Sequence, residues 1–146
     1  MKQRFETFTV LINRISRNIR KIKNQEMAAY HLRSAHISCL FYLYTNEGLT
    51  ATELCEHCEE DKATISRSLD YLVKHGYLCA MLARRYKSAL ELTEKGREVG
   101  GKIADKIDRV LDEISVELSE EERVAFYRSL AIISRSLEAV AQKLEN

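Results

Sequence analysis

The chain of 146 residues contains no proline and no tryptophan, and only five glycines. A β-sandwich needs frequent chain breakers, so this scarcity excludes a turn-rich all-β fold and favours helices. No apolar run approaches the roughly 18 residues that cross a bilayer. The segment MKQRFETFTVLINRISRNIRKIKN lacks the continuous apolar stretch of a secretory signal. The chain is therefore expected in the cytoplasm, without a membrane partner. Four cysteines in that setting imply reduced thiols, not a disulfide framework. Also missing are a Gly-rich phosphate loop, G-x-S-x-G and HExxH. Carboxylate pairs stand only on charged helix surfaces, where solvation explains them. Neither an enzyme nor a bound cofactor is expected.

Charge of one sign is scarce in total but not locally. Lys and Arg number 23 against 22 Asp and Glu, a net charge of +1. Residues 62–97 nevertheless hold eight basic side chains against three acidic ones, and residues 98–146 are acidic. A basic block inside a neutral chain suits contact with a polyanion through one part of the molecule. Charge alone also fits a merely solvated helix surface.

What is abundant is helical periodicity. Phe5, Phe8, Ile12, Ile15, Ile19 and Ile22 form one narrow stripe, opposite Arg14, Arg17, Arg20 and Lys21. Such a regular seam suits a partner helix, including one from a second subunit. Ser34 is read as the cap of a core helix carrying Ile37, Cys39, Leu40, Phe41 and Leu43, stopped at Asn46-Glu47-Gly48. Thr50 and Glu53 form a capping box opening a short helix over 51–58. After Glu59-Glu60, Asp61 caps a helix running to His75, with Gly76 as its left-handed terminator. Ile65, Leu69 and Leu72 share one face of it. Thr64, Arg67, Ser68 and Tyr71 lie off that face.

Two short helices joined by a tight polar turn make a helix-turn-helix. The second helix offers Lys62, Ala63, Thr64, Ser66, Arg67 and Ser68. Small hydroxyl residues let a helix enter a major groove, and Arg reaches guanine or phosphate. Residues 77–82 and 88–92 then read as two short strands around the basic turn Ala83-Arg84-Arg85-Tyr86-Lys87. A hairpin with Arg84, Arg85 and Lys87 at its tip, placed after a helix-turn-helix, reads as a wing for the phosphate backbone or minor groove. Thr93 caps a long helix with Val99, Ile103, Ile107, Val110, Leu111, Ile114 and Leu118. Gly100-Gly101 within it permits a bend or a close helix approach. Ser119 and Glu122 form a second capping box. The last helix carries Phe126, Leu130, Ile133, Leu137, Val140 and Leu144 in another long seam.

This order of elements resembles the MarR (multiple-antibiotic-resistance regulator) family of winged-helix transcription factors, over almost the whole chain. The resemblance rests on Leu49-Thr-Ala-Thr-Glu-Leu54, Asp61-Lys-Ala-Thr-Ile-Ser-Arg67, Leu72-Val-Lys-His-Gly-Tyr-Leu78, Leu92-Thr-Glu-Lys-Gly96 and Leu118-Ser-Glu-Glu-Glu122. It implies a mainly α fold with a small β-hairpin wing. Residues 31–97 would be the winged helix-turn-helix lobe; residues 1–30 and 98–146 would be a helical dimerisation region. It further implies a homodimer that reads a near-palindromic duplex, and release of DNA by a small-molecule effector or a redox signal. Repression is the default expectation. One departure stands out. The Asp-x-Arg signature that braces the family's wing falls here on Arg84 and Tyr86.

Two other constellations compete. Cys55-Glu-His-Cys58 invites a thiol-redox or metal-responsive function, with Cys55, His57 and Cys58 as candidate ligands. A structural zinc needs four ligands, and a lone CxxC supplies two. Core packing is the preferred reading, and metal-free chemistry is expected. His36 lies near where the resemblance implies an effector pocket, with Tyr30 and Tyr42 as further candidates. A partly buried histidine with a local partner is the competing explanation.

Overall fold

The structure is a computed structural model that describes residues 2–80 and 87–145. Its helices are α1 (Lys2–Glu26), α2 (Ser34–Thr45), α3 (Ala51–Cys58), α4 (Lys62–Lys74), α5 (Glu94–Ile114) and α6 (Glu120–Glu145), with a 3-10 turn at Ala28–Tyr30. The chain divides into two units, Met1–Asp105 and Lys106–Asn146. All the buried hydrophobic side chains among the described residues belong to the first unit.

That core is assembled from short amphipathic pieces. Helix α2 contributes Ile37, Cys39, Leu40 and Leu43, and α4 contributes Ile65, Leu69 and Leu72. Leu54 of α3 and Val99 and Ile103 of α5 complete the buried set of the helices. Helices α2, α3 and α4 pack on one another. Burying a side chain of this kind contributes about 1.5–3 kcal/mol, so three such faces outweigh the weak propensity of helices this short.

The helix ends follow the local chemistry. Thr50 Oγ1 accepts from the Glu53 amide at 3.3 Å, and Glu53 Oε2 accepts from the Thr50 amide at 2.8 Å. Asp61 Oδ1 accepts from the Thr64 amide at 2.6 Å. Ser119 and Glu122 exchange the same reciprocal pair at 3.2 and 2.8 Å. Gly76 stands at φ +77°, which only glycine adopts freely, and lets the Tyr77 amide return to the Leu72 carbonyl at 2.8 Å.

Three expectations change. Ser34 is not the cap of α2. Arg33 occupies that position, its amide donating to His36 Nδ1 at 3.1 Å, while the Ser34 amide donates to Asn24 Oδ1 at 2.9 Å. The imidazole and a carboxamide from α1 therefore replace a hydroxyl cap. Helix α5 ends at Ile114 and does not reach Leu118: the Ser115 amide returns to the Asp112 carbonyl at 3.2 Å and the Leu118 amide to the Ser115 carbonyl at 3.0 Å, three-residue turns that replace the α-helical ladder. Among the described residues, the two expected strands reduce to one antiparallel bridge, Leu78 with Leu92. The Cys79 amide reaches Glu91 at 2.9 Å, but the Leu90 amide bonds the Leu49 carbonyl at 2.7 Å. Leu90 is thus tied to the loop before α3, and the ladder stops there. The turn residues Arg84 and Arg85 lie outside the described residues.

Glycine sets two close approaches. A Cβ on Gly96 would overlap the Tyr77 carbonyl oxygen, and one on Gly100 would lie 2.8 Å from Tyr44 Cβ. At Gly101 the nearest atom would be the Tyr44 hydroxyl at 3.4 Å, the movable end of a side chain. Gly96→Ala should lower stability by about 1–3 kcal/mol through overpacking, despite a propensity gain of about 1 kcal/mol. Gly101→Ala should be neutral or slightly stabilising. Urea unfolding of both variants checks the contrast.

Candidate nucleic-acid interface

Helix α4 has one buried and one open face. Ile65, Leu69 and Leu72 are buried, and Lys62, Ala63, Ser66 and Arg67 are exposed. Thr64 is half-buried and its hydroxyl accepts from the Arg67 guanidinium at 3.3 Å. Asp61 lies close enough for its charge to act on this end of the helix, and the Thr64 amide holds its carboxyl below the usual range. Ser68 departs from the expected outward set. It is 3% exposed, and its hydroxyl donates to the Thr64 carbonyl at 2.9 Å. An inward hydroxyl satisfied within its own helix has nothing left to offer a groove. Lys87 is exposed at the edge of the described residues. What remains is an outward face of small side chains with Lys62 and Arg67 as its cations.

The C-terminal half of α4 is anchored by a ring stack that periodicity did not reveal. Tyr71 lies between His36 and His75, with ring centroids 4.1 and 3.9 Å away and planes within 10° and 21° of parallel. The Tyr71 hydroxyl donates to the His31 carbonyl at 2.6 Å. Lys95 Nζ donates to the His75 carbonyl at 2.7 Å, which ties the end of α4 to α5. His36 comes from the start of α2, 35 positions before Tyr71. No local pattern signals such a pair; only the i,i+4 spacing of Tyr71 and His75 was available.

These features coincide with known proteins. A family model described as MarR family matches residues 32–80, which span α2, α3 and α4. The HTH-type transcriptional regulator BilQ of Clostridioides difficile is 23% identical over 95% of each chain. A MarR-family transcriptional regulator from Silicibacter pomeroyi is 27% identical, with 84% of each chain covered and a TM-score of 0.73. The S. aureus MepR–DNA complex matches 89% of this chain and 97% of that one, at 20% identity and a TM-score of 0.79. Over residues 32–80 the chain is similar to the MarR family. Its helix-turn-helix is α3 and α4, joined through Glu59 at φ 51°. That left-handed turn residue is not glycine, a cost of roughly 1–2 kcal/mol that the packed helices on either side must offset.

The other candidate residues are scattered. His36 belongs to the ring stack. Tyr42 lies 5.1 Å from the His57 ring, and Tyr30 accepts from Lys102 Nζ at 3.4 Å. A hollow of about 510 Å³ beside α1 is lined by Asn24, Ala28, His31, Leu32 and Arg33, and by none of those three. Cys55 and Cys58 are half-buried and His57 is exposed. Among the described residues, no group of three or more His, Cys, Asp or Glu side chains is arranged to hold a metal ion. No helix there is long and apolar enough to cross a membrane.

His36 carries a consequence for pH. Its Nδ1 accepts a hydrogen bond, so its proton sits on Nε2 and the ring is neutral. Burial, then the charge of Arg33, then that of His75, hold it below the ordinary value of 6.5. The unfolded chain therefore binds this proton first as pH falls. The contribution to stability is complete above 6.5 and is lost progressively until pH passes below the folded-state value. The urea midpoint should fall between pH 7.5 and 5, and His36→Gln should flatten that fall.

Proposed function

We propose that this chain is a DNA-binding transcription regulator that acts as a cytoplasmic homodimer and represses its targets. A small-molecule or redox signal releases it from a near-palindromic operator. The observation that carries the reading is the open face of α4. Lys62, Ala63, Thr64, Ser66 and Arg67 form the groove-facing set, with Arg67 as the base reader or phosphate clamp. Ser68 acts only as an internal brace. A protein of the same fold, MepR, has been solved on DNA.

Residues 31–97 serve as the DNA-binding lobe, and residues 1–30 with 98–146 serve dimerisation. Support comes from apolar stripes left open in a single chain. Ile12, Ile15, Ile19 and Ile22 are 37–49% exposed on α1, and Phe126, Leu130, Ile133 and Leu137 are 36–54% exposed on α6. Each Å² of this surface removed from water contributes about 25 cal/mol, so helices of this length gain most by pairing. The side chain of Phe5, the first residue of the α1 stripe, lies outside the described set.

The wing supplies the sequence-independent part of binding. Small residues on α4 allow close approach but bring little Coulomb attraction. Arg84, Arg85 and Lys87 provide it by displacing counterions from phosphates. Binding-site selection from a random duplex pool yields the operator on which both elements are tested. Arg67→Ala should weaken operator binding by about 1–3 kcal/mol if the guanidinium reads a base; unchanged affinity would remove it from the interface. Replacing Arg84 and Arg85 together by Ala should weaken operator and scrambled duplex alike. The same change should lower the slope of log affinity against log salt by about 2 per lobe. An unchanged slope would move the phosphate contact elsewhere, first to Arg14, Arg17, Arg20 and Lys21 on α1.

A further inference from the structure

We propose that Asp61 and Thr64 are specificity-determining residues of the α4 face: they hold the Arg67 guanidinium ready for a guanine edge and make a phosphate a poor alternative for it. The inference rests on the DNA-binding reading above and decides between the two roles left to Arg67 there. The three residues form a chain of contacts at the start of α4. The Thr64 amide donates to Asp61 Oδ1 at 2.6 Å, and Arg67 Nη2 donates to Thr64 Oγ1 at 3.3 Å. Asp61 and Arg67 are exposed and Thr64 is half-buried.

Thr64 acts on geometry. An arginine side chain is long and rotamer-rich, and holding it still on binding costs affinity. The Thr64 hydroxyl gives it one fixed point before DNA arrives, and Thr64 is itself fixed because its amide is held by the Asp61 cap. A guanidinium carries several N–H donors in one plane, and the contact with Thr64 uses a single one. A bidentate contact to O6 and N7 of guanine therefore stays open. Arg67 stands in the second turn of α4, and its neighbours Ala63 and Ser66 are small and exposed, so a base edge can come close.

Asp61 acts on charge. The turn into α4 is Glu59-Glu60-Asp61, three exposed carboxylates, and residues 59–67 hold only Lys62 and Arg67 as cations. This segment therefore has a local excess of one negative charge. The Thr64 amide keeps the Asp61 carboxyl below its ordinary range, so it stays charged at neutral pH. A phosphate drawn to Arg67 meets that carboxylate as well, whereas a guanine edge carries no charge to repel. On a wrong sequence the guanidinium finds no guanine. A phosphate is then its remaining partner, and Asp61 opposes it. Discrimination is gained by penalising the wrong complex as well as by favouring the right one.

The consequence is a division of labour within the interface. Attraction to the duplex comes from elsewhere, and the start of α4 chooses the sequence. Arg67 then contributes to selectivity while releasing few counterions, which separates it from an ordinary phosphate-binding arginine.

The test compares full-length wild type and variants on the selected operator and on scrambled duplex over a salt series. Arg67→Ala should weaken operator binding about tenfold and leave scrambled-duplex affinity and the salt slope unchanged. Binding-site selection repeated with it should lose one guanine preference per half-site. Thr64→Val removes the hydroxyl but keeps the shape and the capped amide. It should lower operator affinity about fivefold, the cost of immobilising one long side chain. Thr64→Ser should retain wild-type affinity, and Thr64→Val should have no effect once Arg67 is Ala. Asp61→Asn keeps an equally good cap. It should raise scrambled-duplex affinity by up to about threefold per lobe, the factor for unit charges about 7 Å apart in water, and operator affinity by less. If Arg67→Ala weakens both duplexes alike and lowers the slope by about 1 per lobe, Arg67 is a phosphate clamp, and the inference falls while the DNA-binding reading stands. A Thr64→Val effect that persists without Arg67 would make Thr64 merely structural. Unchanged or lower scrambled-duplex affinity in Asp61→Asn would remove the repulsive role. Wild type that binds no duplex would overturn the DNA-binding reading itself, and this inference with it.

Discussion

Helix α4 has to bury Ile65, Ser68, Leu69 and Leu72 before it can present anything outward. The rest of the first unit is arranged around that requirement. Helix α2 supplies the apolar surface, and α3 packs against both. The one polar member, Ser68, is satisfied by the Thr64 carbonyl, so its burial leaves no unpaired hydroxyl. Both ends of α4 are then secured. Asp61 caps its start, and the Tyr71 stack, Gly76 and Lys95 hold its end. A helix fixed this firmly keeps Lys62, Ser66 and Arg67 on one exposed face.

The same economy of burial explains the terminal helices. A 26-residue helix with no buried side chain, such as α6, gains little from its own fold. Its first turn is well made, with Glu120, Glu121 and Glu122 placed favourably for the helix dipole and the Ser119 cap in place. Capping sets where the helix starts. It does not account for an apolar stripe running the whole length, which is the physical case for a second copy of the chain.

What could be read from residues alone was local. Capping boxes at Thr50–Glu53 and Ser119–Glu122, the Asp61 cap and the Gly76 terminator each need only three or four neighbouring positions. Apolar spacing then placed Ile65, Leu69 and Leu72 inward correctly. Ser68 was misplaced because a serine next to the apolar face can turn either way, and only packing decides. The Arg33–His36 cap escaped although it is local, because a histidine is not among the usual capping side chains. The His36–Tyr71 stack escaped because it joins segments 35 positions apart. Of the strand pattern around the wing, the described residues keep the Leu78–Leu92 bridge, and the spacing could not foresee that the Leu90 amide bonds Leu49.

The central claim is that two copies of this chain present two α4 helices to one duplex. Light scattering of the complex during size-exclusion chromatography, on a duplex recovered by selection, measures this most directly. The account predicts two chains on one duplex, with the same two-chain mass in the absence of DNA. A folded single chain, or a single chain per duplex, would contradict it.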